Sequence, residues 1–303
     1  MISLSEAGIK SCDENAIIKL NSQVNLVYDN FSSLNPINTL ISIIRVFKND
    51  HYYPADLGEV DYYLAFKKNN DIIKYVRCFE NKSLMTEILF MNNELVLLLD
   101  INTHQNIPGP AIDTYCKIFK SNINKYERLM PMSLKLFDNV LGDLITNKIT
   151  IVDSNSYIGS LDCNFRKITK SVYSHIIPKL DLGIKEVIID NRGGGVSYKD
   201  SFGTLSHVRR DYFGSGFKTL SITLPNVIDS VIKEGVCIFE PSIDPLQSVH
   251  PCLGRELVKL FSKYKHRAQI ITNWYHECEV YDDLIPPDYL KTHSEKPGTL
   301  IID

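Results

Sequence analysis

Apolar and polar positions alternate along this chain with two different periods, and the change of period divides it. In IIKLNSQVNLVY (17–28) two short apolar runs are split by Asn21-Ser22-Gln23, which predicts a strand, a turn and a buried strand. DNFSSLNPINTL follows, and its Asn, Ser and Pro mark a loop. In NTLISIIRVFK (38–48) Leu40, Ile43, Ile44 and Phe47 fall on one face of a helix. From 60 to 101 the pattern is that of an antiparallel meander of three or four strands. Its breaks are Asn69-Asn70, Asn81-Lys82 and Asn92-Asn93, residues suited to turns with positive φ.

After Pro108-Gly109-Pro110 the spacing becomes helical through YCKIFKSNINKYERL and SLKLFDNVLGDLI. A break falls around Ser154–Ser160, and SVYSHIIPKLDLGI predicts a further helix interrupted at Pro178. IKEVIID (184–190) predicts a strand and NRGGG a turn. GSGFKTLSITLPNVIDSVIKEG (214–235) predicts a helix, VCIF a strand buried on both faces, HPCLGRELVKLFSKY a helix entered at Pro251, AQIIT a buried strand and GTLIID a terminal strand. The expected divisions are 1–104, with the meander, a helical lobe at 105–181, and a second sheet-forming part at 182–303.

The 303 residues are 44% hydrophobic and 23% charged, enough for a sizeable core, which excludes a disordered chain, a collagen and a coiled-coil rod. The formal net charge of −3 gives no strong footprint for nucleic acid, which stays open as a partner through a local basic patch but is unsupported by the overall charge. The opening MISLSEAGIKSCDEN lacks a basic-then-apolar signal pattern, and no stretch reaches the length of a membrane span. With seven scattered cysteines, the expectation is a cytoplasmic chain with free thiols and no membrane.

The order of elements resembles the ABC/SMC-class ATPase head, specifically the OLD-like and abortive-infection ATPases. In that family a strand, phosphate loop and helix meet a signature helix, an acidic strand end and a switch strand. Gly214, Ser215 and Gly216 match the small residues of the signature helix. His250, Pro251, Leu253, Leu257 and Phe261 match its H-P-x-L-x-x-x-L-x-x-x-F helix, and AQIIT its switch strand. PPDYLKTHSEKPGTLIID is similar to its closing strands. The resemblance implies an α/β fold: a P-loop-NTPase-like head with an antiparallel meander and an inserted helical lobe.

The nucleotide chemistry departs from the family. A phosphate loop needs glycines for close backbone approach, a lysine for the phosphate charge and a Ser or Thr for Mg²⁺. Here Asp29 stands at the first glycine, Ser32, Ser33 and Leu34 fill the later loop, Asn35 replaces the lysine and Pro36 the hydroxyl. A carboxylate repels phosphate and proline removes an N–H donor, so no useful ATP or Mg²⁺ binding is expected. The acidic strand end aligns in two ways, with Asp244 followed by Pro245 where the general-base Glu belongs, or with Glu240 directly ending the apolar run. Either way the Asp-Glu pair is broken. The switch strand ends in Thr272-Asn273-Trp274-Tyr275-His276 rather than Thr-His, leaving His276 one or two residues late.

Other residues have a functional and a plainer reading. Arg192 and its glycines (191–195) form an anion nest or a turn. His250, Cys252, His276 and Cys278 form a zinc set by residue type or are separate free side chains. Trp274 packs in a core or interface, His207 sits in a turn or sheet, and Arg209, Arg210 and Lys218 form a solvated face. Asp153, Asp162 and Asp190 have no spacing for two-metal chemistry.

The expectation is therefore a pseudo-ATPase without cofactor and without catalytic residues, acting as a binding or regulatory subunit. The resemblance implies a bacterial or phage defence setting and a protein partner: a second copy, an active ATPase, a nuclease, a reverse transcriptase or a toxin. The alternative is an ATP-binding or metal-dependent nuclease-type enzyme with altered motifs.

Overall fold

A computed structural model describes residues 1–11, 15–28, 35–48, 58–119, 132–153, 184–189, 195–200, 202–209, 215–243, 245–246, 251–274, 290–296 and 299–302, with six positions between 167 and 176. The meander forms as its sequence predicts. Strands β4 (Glu59–Lys68), β5 (Asp71–Glu80), β6 (Ser83–Met91) and β7 (Glu94–Asp100) pair antiparallel in succession. Asn69, Asn81, Lys82, Asn92 and Asn93 turn it with φ between 47° and 68°.

Two strands without a clear sequence signature extend it. β1 (Ile2–Ser11) pairs with β4 at one side and β8 (Gln105–Pro108) with β7 at the other. β2 (Asn15–Lys19) then pairs with β1. β1 escapes the alternation because a register shift between Leu4 and Glu6 breaks its period, so that Leu4 and Ala7 enter the core three residues apart. Gly8 lies so close to Tyr63 that a Cβ there would fall 2.4 Å from the ring.

The parallel half is assembled from distant segments: β3 (Val24–Tyr28), β9 (Ile149–Val152), β13 (Val236–Phe239), β14 (Gln269–Trp274) and β15 (Leu290–Lys296). Across the sheet they run β15-β3-β14-β13-β9, every neighbouring pair parallel. β16 (Thr299–Ile302) pairs with β15 and β2 and joins the two halves, so that thirteen strands among the described residues make one sheet. Parallel neighbours need crossovers. Those described are helices α1 (Pro36–Lys48) after β3, α4 (Ser215–Lys233) before β13 and α5 (Pro251–Tyr264) before β14. VCIF is buried at all four positions, as a central parallel strand requires.

Residues 105–181 are not helical throughout. Helices α2 (Ile112–Phe119) and α3 (Met132–Asn139), the latter continuing as a π-helix over Val140–Thr146, are accompanied by β8 and β9. ITIV is a four-residue run, too short for periodicity to separate strand from helix. The segment thus contributes two strands to the sheet. β10 (Ile184–Ile189), β11 (Gly195–Asp200) and β12 (Leu205–Arg209) make a separate antiparallel sheet, of which only the first strand is legible as an apolar run.

Helix α1 lies at the centre of the core. Ile37, Leu40, Ile41, Ile43, Ile44, Val46 and Phe47 are each at most 2% exposed, so it is apolar almost all round. It packs on β1, β4, β13 and the π-helix and belongs to both halves of the molecule. Each such side chain, fully buried, contributes roughly 1.5–3 kcal/mol.

A buried amide ties the halves where β14 begins. Gln269 Oε1 accepts from the Leu4 N–H (2.8 Å), and its Nε2 donates to the carbonyls of Leu4 (2.7 Å) and Asn21. The side chain thereby completes the ladder of β1 where its pairing with β4 shifts register between Leu4 and Glu6. Gly235 has a similar closeness. A Cβ there would sit 2.2 Å from the Lys148 carbonyl, which accepts from the Val236 N–H at 2.7 Å. Glycine lets β13 begin against β9.

Candidate functional site

In an open parallel sheet, ligands bind beyond the carboxyl ends of the strands, where the chain order reverses. Here β3, β14 and β13 end side by side, at Tyr28, Trp274 and Phe239. The three elements that the family resemblance assigns to nucleotide therefore meet at one edge. β3 leads toward α1, β13 ends at Glu240, and β14 carries Thr272-Asn273-Trp274.

The amino end of α1 is closed by its own chain. Asn35 Oδ1 accepts from the N–H groups of Ile37 (2.8 Å) and Asn38 (3.3 Å), and the Asn35 carbonyl accepts from Thr39 N–H (3.1 Å). Pro36, at the first helical position, has no N–H. Every backbone donor of the first turn is thus used or missing. A phosphate at a helix start needs those donors, and the amide side chain already occupies them.

Glu240 directly follows β13, as one of the two sequence alignments places it. Its Oε1 receives Arg45 Nη2 at 2.8 Å, and its Oε2 lies 3.5 Å from the Ser242 hydroxyl. Arg45 projects from α1 and was not singled out by sequence reasoning. The available signal was two cations, Arg45 and Lys48, on a helix otherwise apolar at its inner positions. The Arg45–Glu240 pair is part-exposed, so its net stabilisation is about 0–1 kcal/mol. Its consequence is chemical: the carboxylate faces a guanidinium.

A second buried group stands nearby on β14. The Thr272 hydroxyl is 0% exposed and has no hydrogen-bond partner among the described residues. Thr272 is in register with Leu26 of β3.

Below this edge Lys48 Nζ donates to the Ile149 carbonyl at 2.6 Å. Burial, aided by Lys233, pushes its ammonium down to about 8. The thiols of Cys78 and Cys237 are pushed up to about 12, chiefly by burial. Cys78, Cys116 and Cys237 are free thiols, and the two raised ones are poorly suited to thiolate chemistry.

The remaining sequence candidates scatter. Asp29, Ser32, Ser33 and Leu34 lie outside the described residues, as do Gly214, Asp244, His250, His276 and Cys278. Ser215 and Gly216 open α4, Cys252 lies in the first turn of α5, and Pro245 is buried in a turn. Arg192, Arg210, Asp162 and Asp190 also lie outside. His207 and Arg209 are on β12, Lys218 is on α4, and Asp153 follows β9. Among the described residues no cluster of His, Cys, Asp and Glu is arranged to hold a metal, and no helix is long and apolar enough to cross a membrane. No protein-family model and no curated protein matches the chain.

Proposed function

We propose that this chain is a non-hydrolysing binding or regulatory subunit on an ABC/SMC-like ATPase scaffold, a pseudo-ATPase. The observation that carries the reading is the Asn35 cap. The position at which the family resemblance expects a phosphate-binding lysine holds an amide that consumes the donors of α1. Two further features support it. The strand resembling the switch strand, β14, lies between β3 and β13, so the three strands named in the resemblance are neighbours. Glu240, the acid that directly follows β13, is paired with Arg45.

On this reading the fold serves contacts with other proteins. The partner is a second copy of the chain or an active ATPase, nuclease or toxin subunit, in a defence system of the abortive-infection type. Phosphate release from ATP in the presence of Mg²⁺ tests it. The expected rate equals the protein-free blank and does not change in Glu240→Gln. Release above the blank that Glu240→Gln abolishes would overturn the proposal.

A second reading, an ATP-binding or metal-dependent nuclease-type enzyme with altered motifs, draws on the Thr272 hydroxyl. A polar ligand beyond β14 would supply the partner that this buried group lacks among the described residues.

A further inference from the structure

The meander holds charges on its inner face. Ile73, Tyr75, Arg77 and Phe79 alternate into the core from β5, and Glu87, Leu89 and Met91 do so from β6. Arg77 and Glu87 are directly opposite in the ladder and only 4% and 7% exposed. Arg77 Nε donates to Glu87 Oε1 at 2.8 Å, the Tyr75 hydroxyl donates to the same oxygen, and Arg77 Nη1 donates to the Val46 carbonyl of α1 at 2.8 Å. The guanidinium also lies 5.5 Å from the Phe47 ring and 5.6 Å from that of Tyr75. Burial and the neighbouring Glu87 hold the Tyr75 phenol protonated.

This cluster is the floor of a cleft of about 500 Å³ between the meander and the α3–π-helix segment, a volume within the range of small-molecule sites. Phe137 and Leu141 form one wall, Leu84, Leu99 and Ile101 line the strand side, and His104 and Asp138 stand at the rim. Leu141 belongs to the π-helix, a departure from α geometry that often accompanies functional sites.

The polar groups of the floor are used unequally. The Arg77 guanidinium is engaged by Glu87, Tyr75 and Val46. The Glu87 carboxylate accepts both its bonds through Oε1, and its Oε2 has no protein partner among the described residues. Arg77 and Glu87 cancel in charge, and Asp138 adds a second carboxylate. The free valence of the floor is thus that of an acceptor, in a half-open cleft whose floor and Asp138 together carry one negative charge, with His104 and the Asn106 amide also lining it. An anion would meet an occupied guanidinium and two carboxylates. A cation with an apolar body would meet an acceptor beside the Tyr75 and Phe137 rings, whose centroids are 5.3 Å apart.

We propose that this cleft binds a small amphipathic cation, an aromatic or alkyl amine or amidine, with its charged head on Glu87 Oε2 and its apolar body against Phe137 and Leu141. The site is independent of the nucleotide edge. Calorimetric titration of the full chain at pH 8 tests it with benzamidine and phenethylamine as cations. Benzoate and benzyl alcohol serve as the anionic and neutral counterparts. The expected result is saturable binding of the cations at least about tenfold tighter than that of either counterpart. Asp138→Lys, an exposed change that leaves the core intact, is expected to weaken the cations severalfold and to favour benzoate. Leu141→Trp, which fills the cleft, is expected to abolish binding. Absence of saturable cation binding, benzoate binding as tightly as benzamidine, or indifference to Asp138→Lys would overturn the proposal.

Discussion

Among the described residues an arginine–glutamate pair stands in each half of this molecule, and the two pairs are opposites. At the carboxyl ends of the parallel strands, where the fold would receive a ligand, Arg45 and Glu240 are part-exposed and the neighbouring α1 donors are satisfied by Asn35. In the antiparallel half Arg77 and Glu87 are buried, and one carboxylate oxygen has no partner among the described residues beside a cleft. Binding capacity follows what is left unsatisfied rather than what the scaffold traditionally offers. At the parallel edge the described donors of α1 are taken up while the Thr272 hydroxyl lacks a partner among the described residues, and the meander places a carboxylate oxygen beside a cleft.

The sharpest way to break this contrast is to neutralise the two glutamates in turn. Glu87→Gln leaves a buried guanidinium without its counter-charge and is expected to cost about 3–5 kcal/mol in urea denaturation. Glu240→Gln, at a part-exposed pair, is expected to cost less than about 1 kcal/mol. Equal losses would show that the two environments do not differ as described. Next in size is Gln269→Leu, which strands the N–H and carbonyl of Leu4 where the halves join. A loss of about 1–3 kcal/mol is expected, with faster hydrogen exchange at Leu4. Unchanged stability would mean that this amide does not hold β1 to β14.

Asn35→Ala removes the α1 cap and is expected to cost about 1 kcal/mol, while Asn35→Asp, which keeps the acceptor, is expected to restore most of it. A neutral Asn35→Ala would remove the argument that the cap occupies these amides. The smallest effect is a slope. Because burial lowers Lys48 to about 8, the unfolded chain holds a proton that the folded chain has released between that pH and the ordinary lysine range. Stability from this group therefore rises with pH across that window. Subtracting the stability-against-pH curve of Lys48→Met from that of the parent should leave a positive slope, at most about 1.4 kcal/mol per pH unit. A flat difference would contradict the burial of this ammonium.

Much of the frame was legible in the residues. The asparagine pairs marked the meander turns, VCIF and AQIIT marked the central strands, and α1 was clear from its periodicity. What escaped was structure carried by small or polar residues. β1 offers the core the small Ala7 and loses its period at the register shift between Leu4 and Glu6, β11 and β12 are short and mostly polar, and β9 is four residues long beside helical spacing. At the site, the residues that depart from the resembled motif, Asn35 and Pro36, were readable, but the capping role of Asn35 and the pairing of Arg45 with Glu240 arise only from packing. The Arg77–Glu87 pair did leave a signal: each charge interrupts an apolar alternation on the face that the meander buries. A register shift in the β5–β6 pairing, between Cys78 and Phe79, sets which residues end up opposite, and no turn rule reveals it.

The central claim is that a triphosphate finds no free donors at the start of α1. Isothermal titration of the full chain with ATP and Mg²⁺ tests it most directly. The expected trace shows only heats of dilution into the millimolar range, in the parent chain and in Glu240→Gln alike. Stoichiometric binding at micromolar concentration that disappears when Asn35 is changed would contradict the account.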